Sequence, residues 1–307
     1  MNEPSGSKRG SKRHAPDPAA SQAVATGRRG LLALVATPIG NLGDISARAL
    51  ETLRAADVIA CEDTRVTGNL LAKFGIRRPV LPYHDHNAER MRPQLLERLS
   101  RGETVALVSD AGTPLISDPG YKLVREAAEA GLAVTAIPGA AAPITALILS
   151  GLPSDRFLFA GFLPPKSGAR RTVLAELRGV PATLLLFETG PRLAESLADC
   201  HRVLGDRPAA VARELTKLHE EVRRGTLSEL SRHYDESGAP KGEIVLVIGP
   251  PDASAEAPMD VDAALTAALA TMGIKEAATA VAAASGLPRR EIYARALALS
   301  GRRDADD

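Results

Sequence analysis

The hydrophobic and polar positions of the chain form a repeating pattern from Leu31 onward. Short apolar runs such as LLALVAT and TVALVS alternate with longer amphipathic segments such as ISARALETLRAA. Apolar runs without internal alternation are typical of parallel strands that are buried on both faces. The pattern predicts a helix-flanked, mostly parallel sheet over residues 30–152. Glycines at the ends of the helical segments fit left-handed caps, and these are Gly75, Gly102, Gly131 and Gly151.

The pattern changes over residues 153–250, where strand-like runs follow one another. PAAVARELT and EEVRRG have no helical segment between them, which predicts an antiparallel pair inside a mixed-sheet second α/β domain. Residues 251–258 have the composition of a linker. Residues 259–301 contain three helical segments, which predict a small helix-turn-helix-like appendage. Ala-rich helices of this kind are either plain packing units or, given the basic last helix, readers of nucleic acid.

The first 29 residues are basic and poor in apolar side chains, and they predict a disordered tail. The segment TGRRGLLALVA has the look of a twin-arginine export signal, but its apolar run breaks at Thr37-Pro38, so a buried first strand is the favoured interpretation. No apolar window is long enough for a membrane span. With two cysteines and no zinc-type spacing, the composition fits a cytoplasmic setting.

Three loops follow apolar runs, where parallel α/β domains bind their ligands. ATPIGNLGD alone does not separate a nucleotide site from an ordinary turn. SDAGTPLISDPG, residues 109–120, combines stiff prolines with many donors and acceptors, which favours a ligand-binding wall. AIPGAAAPITAL leaves a helix N-terminus open to a carboxylate.

Eight motifs in order over about residues 31–249 resemble those of one family. They are TPIGNLGD, CEDTR, YHDHN, SDAGTPLISDPG, IPGAAA, FLPPK, FET and ARELTK…EE. The chain resembles the tetrapyrrole methylase superfamily and, within it, the ribosomal RNA small-subunit 2′-O-methyltransferase I family. The resemblance implies a two-domain tetrapyrrole-methylase-like fold that binds S-adenosylmethionine in the cleft between its domains. It also implies a homodimer that methylates a cytidine ribose 2′-hydroxyl in the decoding region of 16S rRNA, with the small ribosomal subunit as its partner.

By this resemblance, the residues that contact S-adenosylmethionine are Pro38, Gly40, Asp110, Ala111, Gly112, Thr113, Ile116, Ser117, Ala140, Ala141, Ala142, Leu186, Phe187, Ala212 and Gly242. We expect Asp110 to shape the site and not to act as the base.

A ribose hydroxyl is a weak nucleophile at neutral pH, so a positioned base should accept its proton. The candidates for the catalytic group are Asp63, His84, His86 and Glu188, with Glu62 also considered. Two histidines without further ligands make a metal site the less favoured interpretation. An ion pair between Asp63 and Arg65 that caps the next helix is an equal alternative to catalysis.

The net charge of +1 requires any RNA contact to come from local basic patches. The candidates are Arg65, Lys166, Arg170, Arg171, Arg192, Lys217, Lys241, Arg289 and Arg290. Two rival functions stay open at this point. One is methylation of a small molecule such as a tetrapyrrole, and the other is a nucleic-acid-binding regulator that uses the C-terminal helices.

Overall fold

The computed structural model describes residues 30–252, 261–285 and 287–306. The predicted tail at residues 1–29 and most of the predicted linker therefore lie outside the described residues. The chain divides into two compact units, Met1–Pro250 and Pro251–Asp307, and each is described here by itself.

The first sheet of the larger unit is entirely parallel, as predicted. Its strands are β1 (Leu31–Val35), β2 (Val58–Cys61), β3 (Val80–Pro82), β4 (Thr104–Val108) and β5 (Ala133–Ile137), in the order β3-β2-β4-β1-β5. The helices that follow these strands are α1 (Ala47–Ala55), α2 (Thr64–Lys73), α3 (Ala88–Ser100), α4 (Tyr121–Glu129) and α5 (Ala142–Ser150). A short 3-10 helix, Leu42–Asp44, precedes α1.

Both faces of this sheet are buried, which explains the continuous apolar runs in the sequence. One face packs on α1 and α2 through residues such as Leu53 and Leu71. The other packs on α3 and α4 through residues such as Leu95 and Leu123. The predicted glycine caps are confirmed, because each has a positive φ of 64° to 86°: Gly75, Gly102, Gly131 and Gly151.

The second sheet is mixed, as predicted. Its strands are β6 (Phe157–Phe162), β7 (Thr183–Thr189), β8 (Pro208–Arg213), β9 (Glu221–Thr226) and β10 (Glu243–Ile248), in the order β6-β7-β10-β8-β9. β6 pairs in parallel with β7, and the remaining pairs are antiparallel. Its helices are α6 (Ser167–Leu177), α7 (Gly190–Leu204) and α8 (Leu227–Ser237).

The predicted β8–β9 pair is confirmed, but β8 ends at Arg213, three residues before the predicted boundary at Thr216. Glu214 and Thr216 have φ values of 51° and 66°, a left-handed conformation that a strand cannot contain. The last residues of the ELT segment therefore form a tight turn out of the sheet.

The two faces of the second sheet have different neighbours because side chains alternate along each strand. Leu184, Leu186 and Leu246 pack towards α6, α7 and α8. Leu185, Ala212 and Val245 belong to a cluster that also contains residues of α5. This second face is the one available to a site between the two sheets.

The smaller unit contains α9 (Val261–Leu269), α10 (Ile274–Ser285) and α11 (Arg289–Asp306), which correspond to the three predicted helical segments. They pack around a small core that includes Leu265, Val281 and Ile292. The described residues contain no helix with the length and apolar content needed to cross a bilayer.

We expect the Leu246→Ala variant to lower the free energy of unfolding by about 2–5 kcal/mol, because Leu246 is 1% exposed on the central strand of the second sheet. The matched change Leu218→Ala, at a side chain that is 92% exposed, should cost less than about 0.5 kcal/mol. Urea unfolding followed by circular dichroism suits a chain without tryptophan. Equal losses in the two variants would contradict this account of the core.

Candidate active site

A cavity of about 360 Å³ lies between the carboxyl edge of the first sheet and the free face of the second. The loop after β4, the start of α5 and strands β6, β7, β8 and β10 form its walls. Most of the residues predicted to bind a cofactor line it: Asp110, Ala111, Gly112, Thr113, Ile116, Ser117, Ala141, Ala142, Phe187, Ala212 and Gly242. The fold therefore brings together segments that lie more than a hundred residues apart.

Other lining residues were not predicted as cofactor contacts: Ile39, Asp118, Pro143, Phe162, Glu188, Thr189, Leu215, Glu243, Ile244 and Val245. Asp118 and Phe162 lie inside motifs that the sequence analysis quoted, so the motif itself was the available signal. The residues of β10 lie in no quoted motif. In a continuous apolar strand, the sequence does not show which side chains lie on which face of the sheet.

Some predicted contacts do not line the cavity: Pro38, Gly40, Ala140 and Leu186. The Leu186 side chain packs on the opposite face of the sheet, towards α6–α8, because it alternates with Leu185 and Phe187. Ala140 acts through its backbone, since its carbonyl accepts a hydrogen bond from Thr113 Oγ1 at 3.1 Å.

Gly40 allows the loop after β1 to approach the turn after β8. A Cβ atom at Gly40 would lie 2.5 Å from Cγ of Lys217. The neighbouring Asn41 N–H donates to Thr216 Oγ1 at 3.1 Å. Gly40 therefore joins two loops at the rim of the cavity and does not itself line it.

Backbone hydrogen bonds and left-handed residues hold the loop of residues 109–120 in one shape. The Thr37 N–H donates to the Gly112 carbonyl at 2.9 Å, and the Gly112 N–H donates back to the Thr37 carbonyl at 3.1 Å. Leu115 and Ser117 have φ values of 73° and 66°, which non-glycine residues rarely adopt. Such strain persists only where surrounding structure enforces it, and it concentrates at functional sites.

The start of α5 presents the cavity with a helix N-terminus that no side chain caps. Its N-cap residue is Ala141, which forms no side-chain hydrogen bond, and Ala142 and Pro143 follow it into the helix. Small residues leave the first-turn amides accessible, and the helix dipole favours a negative group there. A carboxylate of a bound ligand fits this end of the cavity.

Three of the chain's five phenylalanines cluster beside the cavity. The Phe187 ring lies 5.0 Å from that of Phe159 and 5.3 Å from that of Phe162, measured between centroids. Phe162 is 55% exposed, although a large apolar side chain is normally buried. This surface suits a flat ring.

Four acidic side chains lie in loops that follow strands of the first sheet: Glu62, Asp85, Asp110 and Asp118. Burial raises the pKa of Asp118 to about 6, while a hydrogen bond with the Ser109 side chain lowers it and the charges of Glu62, Asp110 and Asp85 raise it further. Burial also raises the pKa of Glu62, and Asp110 and Asp85 add to the rise.

Asp63 has the contacts of a capping residue. It is the N-cap of α2, and its Oδ1 accepts a hydrogen bond from the backbone N–H of Arg65 at 2.8 Å. Arg65 Nη2 lies 2.6 Å from its Oδ2, and hydrogen bonds from the Arg65 side chain and backbone lower the pKa of Asp63 to about 2. A carboxylate of such low basicity accepts a proton poorly, so the contacts favour the alternative of a local ion pair.

Glu188 is buried, and both of its oxygens have partners. Oε1 accepts from the Thr189 N–H at 2.8 Å and lies 3.3 Å from Arg192 Nε, while Oε2 accepts from the Ser196 hydroxyl. These contacts fasten β7 to α7. They do not favour the predicted role of Glu188 as a base.

His84 and His86 follow β3 and do not line the cavity. Their rings meet edge to face with 6.0 Å between centroids. The backbone N–H of His84 donates a hydrogen bond to Asn87 Oδ1 at 2.9 Å. Throughout the part of the chain that the structure describes, no three His, Cys, Asp or Glu side chains are placed to hold a metal ion.

Arg170 corrects the sequence-based assignment of RNA contacts. Its side chain is 1% exposed, and its Nε lies 2.7 Å from Asp199 Oδ2. A buried, paired guanidinium cannot reach a phosphate. Its neighbour Arg171 lies about 100° further around the helix, so its side chain is 42% exposed, although its Nε is still 4.0 Å from Asp199 Oδ1.

Two other predicted cations are occupied by neighbouring groups. Lys217 Nζ lies 2.9 Å from Glu214 Oε1 and 2.7 Å from Glu243 Oε2. Arg192 donates to the Leu163 carbonyl at 2.6 Å in addition to its contact with Glu188. The remaining predicted RNA contacts have exposed or partly exposed side chains: Arg65, Lys166, Arg171, Lys241, Arg289 and Arg290. Of these, Arg65 is paired with Asp63.

Replacing Arg170 tests its structural role. The Arg170→Ala variant should lose about 3–5 kcal/mol of unfolding free energy, because it removes the nearest and only buried cation that pairs with the Asp199 carboxylate among the residues that the structure describes. Arg171→Ala, one residue along the same helix, should change it by less than about 0.5 kcal/mol. Urea denaturation of both proteins measures the difference. A stable Arg170→Ala protein with weakened RNA binding would instead restore Arg170 as an RNA contact.

Comparison with known proteins agrees with this architecture. The sequence model of the family Tetrapyrrole (Corrin/Porphyrin) Methylases matches residues 31–231. The sequence model of the RsmI C-terminal HTH domain matches residues 255–300. The ribosomal RNA small subunit methyltransferase I of Mesorhizobium japonicum is 55% identical over 269 residues, covering 87% of this chain and 92% of that protein. The protein of the same name from Erythrobacter litoralis is 56% identical over 268 residues, covering 87% and 95%.

The fold has solved counterparts. The uroporphyrin-III-C-methyltransferase of Thermus thermophilus superposes with a TM-score of 0.52 at 23% identity, covering 72% of this chain and 94% of that one. The chain belongs to the tetrapyrrole methylase family and, within it, to the ribosomal RNA small subunit methyltransferase I family. It is a methyltransferase.

Proposed function

We propose that this enzyme transfers a methyl group from S-adenosylmethionine to the 2′-hydroxyl of a cytidine ribose in the decoding region of 16S rRNA. The observation that carries the proposal is the cavity between the two sheets. It is built from the motif residues named above, in a chain that is 55% identical to a protein named as a small-subunit rRNA methyltransferase.

The residues of the cavity fit S-adenosylmethionine by their chemistry. The uncapped N-terminus of α5 offers amides to a carboxylate. The surface of Phe162 and Phe187 suits an adenine ring, and Asp110 supplies negative charge for a cationic ligand. When bound, the cofactor supplies an electrophilic methyl group on a positively charged sulfur.

Two exposed lysines lie close in sequence to residues that line the cavity, and their charge suits contacts with the phosphates of an RNA backbone. Lys166 follows the strand that ends at Phe162, and Lys241 immediately precedes Gly242. Neither forms an ion pair in the part of the chain that the structure describes, so both are available to phosphates. A substrate in the small ribosomal subunit would place the enzyme in the cytoplasm. The homodimer stays a prediction.

Filling the cavity tests the cofactor site. Ala212 lies on β8 and lines the cavity, so Ala212→Leu should weaken S-adenosylmethionine binding at least about tenfold, which is about 1.4 kcal/mol. The control Ala175→Leu makes the same change on the exposed surface of α6 and should leave the affinity unaltered. Titration calorimetry measures both. Unchanged binding by a folded Ala212→Leu protein would show that the ligand lies elsewhere.

The reaction itself is tested by transfer of a labelled methyl group to 16S rRNA, both naked and in assembled small subunits. We expect the label on a cytidine ribose, and the modified linkage should resist alkaline cleavage because the attacking 2′-hydroxyl is methylated. Label on a base would contradict ribose chemistry. Label only on an added tetrapyrrole would favour the small-molecule alternative, and absence of any transfer with RNA binding retained would favour the regulator.

A further inference from the structure

The reaction needs a proton acceptor, and Asp63 and Glu188 are already committed to neighbouring groups. We propose that the Asp118 carboxylate, which lines the cavity near the end of the loop of residues 109–120, accepts the proton of the ribose 2′-hydroxyl during methyl transfer. This inference rests on the proposed function and adds a catalytic residue to it.

Asp118 differs from the other carboxylates that line the cavity by its contacts. Asp110 accepts a hydrogen bond from the backbone N–H of Asp63 at 3.0 Å, and Glu243 lies 2.7 Å from Lys217 Nζ. Asp118 lies beside Ser117 in the cavity wall and is half-buried. The groups near enough to influence its carboxyl are the Ser109 side chain after β4, Glu62 after β2, Asp110 in its own loop and Asp85 after β3. Asp63 and Glu188, in contrast, are each paired with an arginine, at 2.6 Å from Arg65 and 3.3 Å from Arg192.

Burial, together with the charges of its neighbours, gives Asp118 the proton affinity that a base at neutral pH needs. A general base works best when its pKa lies near the working pH, because it is then ionised and still binds a proton well. Burial, reinforced by the like charges of Glu62, Asp110 and Asp85, raises the pKa of Asp118 to about 6. The carboxylate is therefore mostly ionised at pH 7 and more basic than an exposed aspartate.

The loop holds Asp118 in place. Ser117 before it has a φ of 66°, and Pro119 after it fixes the next φ angle. Gly120 closes the loop against β4, where a Cβ atom would lie 2.9 Å from Leu107 Cδ2 and where φ is 137°. A carboxylate held by such a backbone spends little entropy on orientation, as positioning of a reacting group requires.

The proton and electron balance of the step is complete. The ribose oxygen forms a bond to the methyl carbon while the carbon–sulfur bond breaks, and the sulfur keeps that electron pair and becomes a neutral thioether. The 2′-hydroxyl proton passes to a carboxylate oxygen of Asp118. The positive charge of the sulfonium and the negative charge of the carboxylate disappear together, and the protonated Asp118 then returns its proton to water.

The test uses the full-length protein and small ribosomal subunits that lack the modification. Asp118→Asn keeps the size of the side chain and should lower the rate of methyl transfer at least about 100-fold. Its Kd for S-adenosylmethionine, measured by calorimetry, should stay within about threefold of the wild-type value. The control Asp235→Asn makes the same change at an exposed position on α8 and should leave the rate unaltered.

A pH profile separates proton transfer from a structural role. The wild-type rate should rise with pH through about 6, the pKa of Asp118, because only the ionised carboxylate accepts a proton. Glu62→Gln removes one of the like charges, so the midpoint should move to lower pH. The carboxyl carbon resonance of Asp118, assigned by its absence in Asp118→Asn, should titrate with the same shift.

The outcomes distinguish this inference from the proposed function. No methyl transfer to rRNA by the wild type overturns both. Normal wild-type transfer with a rate in Asp118→Asn close to wild type, or with a midpoint that Glu62→Gln does not move, overturns only the role of Asp118. Loss of S-adenosylmethionine binding in Asp118→Asn also overturns it, because Asp118 would then serve the cofactor.

Discussion

The site depends on the pair of backbone hydrogen bonds that joins Thr37 to Gly112. Because β1 and β4 are neighbouring parallel strands, the loops after them leave the same edge of the sheet, and this pair ties the two loops together. The loop of residues 109–120 is thereby fixed in a conformation that includes left-handed residues. The second sheet then supplies an apolar wall opposite it, and the cavity lies between the two.

The sequence predicted the architecture well because its signals are local. Apolar runs buried on both faces, glycines at helix ends and adjacent strand-like runs each report on a few neighbouring residues, and the structure contains the elements they predict. The predicted end of β8 lay too far along the chain. The turn that ends the strand depends on the left-handed backbone of Glu214, and a glutamate gives no indication of that conformation in the sequence. The resemblance implied a cofactor contact for Leu186, but the motif shows only which strand end is involved, and the structure places the Leu186 side chain on the face away from the cavity.

The charged residues were the hardest to assign, because their roles depend on partners far away in the sequence. Arg170 reads as part of a basic run, yet Asp199 on another helix draws it into the interior. Lys217 is likewise matched by Glu243. Conversely, Asp118 is one polar loop residue among several in the sequence, and its pKa is raised first by its burial in the fold and then by the charges of Glu62, Asp110 and Asp85.

The central claim is that the cavity between the two sheets binds the cofactor. A crystal structure of the protein with S-adenosylhomocysteine tests it most directly. We expect the ligand between the loop of residues 109–120 and the wall formed by Phe187 and Ala212, with its carboxylate at the start of α5. A ligand bound outside this cavity, for example in the groove lined by His201 and Arg232 between α7 and α8, would contradict the account.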